Sequence, residues 1–212
     1  NAQTWPFETI IRGGRSGQNY MNACRGAAIA YQNALRWKLN GIKENADCAV
    51  RALMSWARQN KYVSEDTNMS LAAGLTGYQF AQAAELMRNY EGWKREEFDE
   101  FKRYMLVTWY PVSCTFLRSR HDTWSNWRNG NKGQRHGHYW SNWGLCNAFF
   151  SMILGVICDD VFIYNQGNPF YKYNHVGTFR DRSKEPVIVI DGCNYFIGNL
   201  VPESYFDETL RY

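Results

Sequence analysis

The sequence is poor in proline, with 5 residues in 212, and it contains no long apolar run. Its most apolar stretch, Leu145–Cys158, has 14 residues and includes two polar side chains, whereas a helix that crosses a bilayer needs about 20. The net charge of only +4 does not fit wholesale coating of nucleic acid, so we expect neither a nucleic-acid nor a membrane partner. With 45% hydrophobic residues, the chain can bury a sizeable core, and we treat residues 1–212 as a single domain.

The six cysteines lack the spacing of a zinc site, because the sequence has no CxxC pair and no histidine at zinc spacing. We therefore expect no metal. An even count of cysteines permits three disulfides, and the sequon Asn68-Met69-Ser70 fits a secreted chain. Against this, Cys146 and Cys158 lie in a segment that is predicted to be a buried helix, where free thiols are common. On balance these features favour secretion.

Apolar or small residues recur at spacings of three and four in five segments, which is the pattern of helices. Gly41 ends the first helix, and the short connection that follows indicates an antiparallel helical hairpin. Pro111 is expected to end the fourth helix. The fifth is apolar almost all round, which is typical of a central helix covered on several sides. The predicted helices are Ser16–Asn40, Ala46–Ala57, Leu71–Asn89, Arg95–Tyr110 and Tyr139–Cys158.

The remaining segments add a small β element to a mainly α chain. Val187–Ile190 and Tyr195–Ile197 flank a turn and predict a β-hairpin near the C-terminus. Val112–Gly137 has no sustained period and predicts a long surface loop. Repeated helix pairs fit either a bundle or solenoid, or a ring of hairpins closed into an α/α toroid, and periodicity does not choose between them.

His136–Trp143 is the densest concentration of residues suited to chemistry. If the segment is helical from about His138, that side chain shares a face with Asn142, while Tyr139 and Trp143 share the adjacent face. Aromatic rings stack on sugar rings, and histidine and asparagine bind hydroxyls or a carboxylate. The alternative is that the aromatic residues belong to the core and that His138 is an ordinary hydrogen-bonded histidine.

The basic loop and the glycine pair Gly74 and Gly77 each have one functional and one structural interpretation. The expected loop holds five cations against one acid, interleaved with Trp and His. It is either a solvated charge run or a surface for an acidic glycan, which fits better than single-stranded nucleic acid. Gly74 and Gly77 permit close approach, either of a ligand or of another helix. Tyr78 and Gln79 beside them are candidate binding residues.

Four segments resemble the alginate lyase superfamily of polysaccharide lyases. They are Ile11–Gly14, Ala30–Trp37, Leu71–Ala81, and His138–Trp143 followed by Leu145–Asn147. The resemblance covers most of the chain. It implies an α/α toroid and cleavage of a uronic-acid polymer, such as alginate or glucuronan, by β-elimination.

The resemblance also implies roles for individual residues. Elimination requires neutralisation of the C6 carboxylate, removal of the C5 proton and protonation of the departing oxygen, which His, Tyr, Asn and Arg can perform without a cofactor. His138, as base or carboxylate neutraliser, and Tyr139 become the catalytic candidates. Asn142, Trp140 and Trp143 would shape the substrate subsite, with Tyr78, Gln79 and Arg12 as further substrate-binding residues.

The sequence departs from the family pattern in two places. Gly137 stands where the family motif has an asparagine that would bind the substrate carboxylate. The family's later segment, which supplies Arg and Tyr, would begin about where this sequence stops. We therefore expect these residues to be either the N-terminal portion of a nicked protein, whose remainder stays associated as a second polypeptide that completes the toroid, or a truncated product. The alternative function is a lyase-like carbohydrate-binding or interaction protein that has lost elimination chemistry.

Overall fold

The computed structural model describes residues 5–12, 17–63, 68–119, 142–165, 187–190 and 193–196. Within these ranges the chain is mainly helical, as the periodicity predicts. Two π-helical turns interrupt the helices, the first at Ala73–Gly77 and the second at Met105–Trp109. The other elements are β1 (Thr9–Ile10), α1 (Tyr20–Asn40), α2 (Lys43–Gln59), β2 (Tyr62–Val63), α3 (Met69–Ala72), α4 (Tyr78–Met87), α5 (Arg95–Tyr104), α6 (Tyr110–Ser119), α7 (Asn142–Cys158), β3 (Val187–Ile190) and β4 (Cys193–Phe196).

Helices α1 and α2 pack together across a two-residue connection. As predicted, Gly41 ends α1, with a φ of 71° and an N–H that donates to the Trp37 carbonyl at 2.8 Å. A row of small residues on α1, including Ala23 and Ala27, is fully buried. Gly26 lies directly against the indole of Trp56 on α2, where a Cβ would clash. Small residues on α1 therefore let α2 approach closely.

Pro111 does not end a helix, which corrects the sequence prediction. The chain stays helical from Arg95 to Ser119, because the second π turn precedes the proline. The Tyr110 N–H donates to the Met105 carbonyl, five residues back. In a regular α-helix the proline ring would clash with the carbonyl four residues back, and a widened turn is one way a helix accommodates it. The predicted loop is thus helical over 112–119, and 120–137 lie outside the described residues.

Helix α7 packs against α3, the first π turn, α4 and α6, so it is covered on several sides as predicted. Gly74 faces the Cys146 and Asn147 side chains, and Gly77 lies 3.1 Å from the Phe150 ring, measured from the position of a Cβ. The glycine pair therefore serves tight helix packing. Among the described large apolar residues of this helix, Val156 is the one that is exposed, at 40%.

Two short β elements complete the described structure. Strand β1 pairs in parallel with β2, which the sequence analysis missed because each strand has only two residues. Strands β3 and β4 pair antiparallel, which confirms the small β-hairpin near the C-terminus. None of the helices in the described ranges combines the length and the apolar character needed to cross a bilayer.

Candidate functional site

The structure describes half of the residues that the sequence analysis assigned to a site. His138, Tyr139 and Trp140 lie outside the described residues. Asn142 is the first residue of α7, but its side chain is likewise outside what is described. Trp143, Tyr78, Gln79 and Arg12 are described, and all four are half-buried.

Trp143 lies in the first turn of α7 and packs its ring against Phe116 on α6, with the centroids 6.1 Å apart. Its main-chain carbonyl accepts hydrogen bonds from the Asn147 amide at 2.9 Å and from the Cys146 thiol at 3.3 Å. Both donors belong to the next helical turn. The backbone at the start of α7 is therefore fixed, and the indole keeps part of its surface accessible.

Tyr78 follows the first π turn directly and begins α4. Its hydroxyl accepts a 2.7 Å hydrogen bond from the Gln82 side chain, one helical turn further on. Its ring leans against Phe149 of α7, with the centroids 6.2 Å apart. Gln79 is the next residue of α4. The two predicted binding residues are thus placed by the contact between α4 and α7.

Arg12 lies just before α1, where the Asn19 side chain binds the preceding main chain in two hydrogen bonds. Asn19 accepts the Ile11 N–H at 2.7 Å through Oδ1 and donates to the Thr9 carbonyl at 2.9 Å through Nδ2. This contact places the Arg12 guanidinium 4.4 Å above the centre of the Tyr20 ring, in a cation–π arrangement. The sequence analysis predicted that this helix begins at Ser16, but it begins at Tyr20. The reason is that the Asn19 side chain binds the main chain at Thr9 and Ile11.

The charge of Arg12 reaches the beginning of α7. Burial raises the pKa of the Cys146 thiol to about 12, and the positive charge of Arg12 acts in the opposite direction. Arg12 therefore lies within electrostatic range of a residue three positions after Trp143. The first π turn, which directly precedes Tyr78, contacts both α1 and α7.

A buried polar network fixes the same region, and the sequence analysis did not assign it a role. Asn147 is fully buried, and its amide donates to the Ser70 carbonyl at 3.0 Å. The Ser113 hydroxyl donates to the main-chain carbonyl of Asn147 at 3.2 Å. Cys24 and Thr76 meet at 3.4 Å beside this network. Asn147, one of the two polar side chains within the apolar stretch Leu145–Cys158, was the sequence signal for this anchor.

A charged cluster lies around Asp47 on α2, and the sequence indicated only part of it. Asp47 accepts hydrogen bonds from the Lys43 ammonium, at 2.8 Å, and from the Tyr90 hydroxyl. Both hydrogen bonds lower the pKa of Asp47, and the bond from Lys43 has the larger effect. Burial raises the pKa of Tyr90, and the hydrogen bond to the Asp47 carboxylate raises it further. The spacing of four residues indicates the Lys43 pair, whereas Tyr90 is 43 residues away.

The described residues contain no group of three or more His, Cys, Asp or Glu side chains placed to hold a metal ion. In the described part of the chain, Cys24, Cys48, Cys146 and Cys158 form no disulfide. Burial raises the pKa of the Cys158 thiol to about 11. The Cys146 and Cys158 thiols are therefore protonated near neutral pH and poorly nucleophilic.

Comparison of the chain with protein-family models, with curated proteins and with solved structures gives no significant match.

Proposed function

We propose that this protein is a polysaccharide lyase that cleaves a uronic-acid polymer, of the alginate or glucuronan type, by β-elimination. The observation that supports it most is the contact between Tyr78 of α4 and Phe149 of α7, the helix whose first turn carries Trp143. His138 precedes the first residue of that helix by four positions.

The chemistry assigns each candidate a task. Arg12 supplies a fixed positive charge for a substrate carboxylate, and the half-buried ring of Trp143 offers a stacking surface for a sugar. Tyr78 and Gln79 supply hydrogen-bonding groups from α4. In the proposal, His138 or Tyr139 takes the C5 proton, and Asn142 and Trp140 complete the subsite. No cofactor is required, because every step is a proton transfer or a charge stabilisation.

The proposal also contains the finer features implied by the family resemblance. These are antiparallel helix pairs arranged as part of an α/α toroid, a second polypeptide that completes the toroid, and secretion. The two-residue connection between α1 and α2 supports the hairpin arrangement. Measurement of the native mass and chain composition of the purified protein tests the second polypeptide, since a cooperatively folded monomer of 24.8 kDa would contradict it.

The test of the activity is direct. The intact assembly is incubated separately with glucuronan and alginate, and the ultraviolet absorbance of the unsaturated product is followed. We expect absorbance to rise with one of the two polymers. If the protein binds a polymer without any rise in absorbance, the alternative function applies, namely a lyase-like binding protein. Gly137, which removes the amide expected before His138, is the observation that favours that alternative.

A further inference from the structure

The two-stranded sheet formed by β1 and β2 has one buried face and one exposed face. The paired residues Ile10 and Val63 are buried, and in a strand the residues next to them point to the opposite face. On that opposite face Tyr62 pairs with Thr9, and 62% of the surface of Tyr62 is exposed. The exposed face of this sheet therefore carries an aromatic ring.

Two more exposed aromatic residues precede β1. Trp5 and Phe7 have 55% and 41% of their surface exposed. The carbonyls of Phe7 and Tyr62 accept hydrogen bonds from the same nitrogen, Nδ2 of Asn60, at 3.3 and 3.0 Å, so these two segments lie side by side. Trp5 precedes a proline, which favours extended backbone, and residues two apart in an extended chain point to the same side. Trp5, Phe7 and Tyr62 thus form an aromatic surface near the end of α2.

The size of the aromatic surface favours a small ligand segment over a protein. A fully buried aromatic side chain covers about 150 to 250 Å², so three rings that are about half exposed offer roughly 300 Å². A stable protein interface needs about 800 Å² from each partner. Exposed apolar patches of a few hundred Å² on monomers are often functional. The aromatic surface is therefore too small for a stable dimer, and it is large enough for a few sugar rings.

We propose that the aromatic surface binds a short stretch of a polysaccharide chain, with its rings stacked on the faces of the sugars. Flat aromatic rings pack against the C–H groups of a pyranose face, and the Tyr62 hydroxyl supplies a donor and an acceptor for sugar hydroxyls. Glu8 and Lys61, which lie beside the surface, are exposed and carry opposite charges, so stacking and not ionic attraction carries the contact. The class of ligand rests on the proposed function, but the surface contains none of the residues assigned to the lyase site.

Cellohexaose is the probe for this surface, titrated into the ¹⁵N-labelled full chain. It lacks the carboxylate that β-elimination and an ion pair with Arg12 require, so its binding is measured independently of lyase activity. We expect saturable amide shifts over residues 5–10 and 61–63. The affinity should be the same at low and high salt, because salt screens ion pairs and not stacking. Absence of saturable shifts in these residues at roughly millimolar cellohexaose would overturn the proposal, whether or not the protein cleaves a uronate polymer.

The variants separate ring stacking from general apolar attraction. Tyr62→Ala should weaken cellohexaose binding roughly fivefold or more, the worth of one aromatic contact, whereas Tyr62→Trp keeps a ring and should retain binding. Leu39→Ala removes an exposed apolar side chain from α1 and should bind like the original chain. Equal affinity of Tyr62→Ala and Leu39→Ala would refute the assignment. Self-association in sedimentation that Tyr62→Ala abolishes would also overturn it, and would assign the surface to a second copy of the chain.

Discussion

The Tyr104 hydroxyl donates a 2.8 Å hydrogen bond to Oδ1 of Asn60 inside the core. Both residues are buried, and burial raises the pKa of Tyr104 far above its usual value. Nδ2 of Asn60 contacts the carbonyls of Phe7, Glu8 and Tyr62, at 3.3, 3.1 and 3.0 Å. One amide therefore joins the end of α2, the β1–β2 pair and α5.

Replacing Asn60 tests this junction. Asn60→Ala should lower the free energy of unfolding by roughly 2 to 4 kcal/mol, because it leaves the Tyr104 hydroxyl and buried carbonyls without a partner. Tyr104→Phe removes only one donor and should cost about 1 to 2 kcal/mol. Urea denaturation measures both, and the double variant gives the coupling. Asn45→Ala, at a surface site with a 3.4 Å hydrogen bond, is the control and should change stability by less than about 0.5 kcal/mol. Equal effects at Asn45 and Asn60 would contradict the junction.

The contact between Gly26 and Trp56 makes a second prediction. A methyl group at residue 26 overlaps the buried indole, so Gly26→Ala should destabilise the protein by roughly 1 to 3 kcal/mol. This loss outweighs the gain of up to about 1 kcal/mol in helix propensity. Gly17→Ala is the matched control, because nothing lies within 4 Å of its added methyl. Thermal unfolding of the two variants should show a lower Tm for Gly26→Ala alone.

Asp47 and Tyr90 give a pH-dependent prediction. The folded-state pKa of Asp47 is lowered, so its contribution to stability is present above the unfolded pKa, about 3.9, and is lost as pH falls through the folded value. The pKa of Tyr90 is raised, so its contribution is present below about pH 10 and is lost as pH rises through the folded value. Tyr90→Phe should move the Asp47 pKa upward toward its ordinary value. An NMR titration of the Asp47 carboxyl carbon checks this, and an unchanged midpoint would rule out the contact.

The lyase proposal makes its own prediction at two residues. In an active preparation, His138→Ala should lower kcat by a factor of roughly 10² to 10⁴, the usual contribution of general acid–base catalysis. Trp143→Ala should chiefly raise KM, because its ring contributes binding and not proton transfer. His175→Ala is the control, since it lies outside the motif and should leave turnover unchanged. Wild-type turnover in His138→Ala would remove this residue from the mechanism and favour the binding-protein alternative.

The apolar periodicity was sufficient to predict the helices, because helical spacing is a local property of the chain. It predicted the end of α1 at Gly41 correctly, since a left-handed residue there is a local requirement. It failed at Pro111, where the helix continues after a π turn that apolar spacing does not reveal. It also missed β1 and β2, which lie more than 50 residues apart and are too short to show alternation.

For the candidate site as well, the sequence determined some features and the tertiary structure determined others. The sequence by itself determined which residues carry useful chemistry, the helices that hold them and the small residues that permit close packing. Only the tertiary structure decided which of them meet other elements, such as Tyr78 with Phe149 and Arg12 with Tyr20, and, in the core, that Asn60 meets Tyr104. Helical hydrogen bonds join residues four positions apart and follow from local sequence, whereas these contacts depend on how the helices pack against one another, which local sequence does not fix.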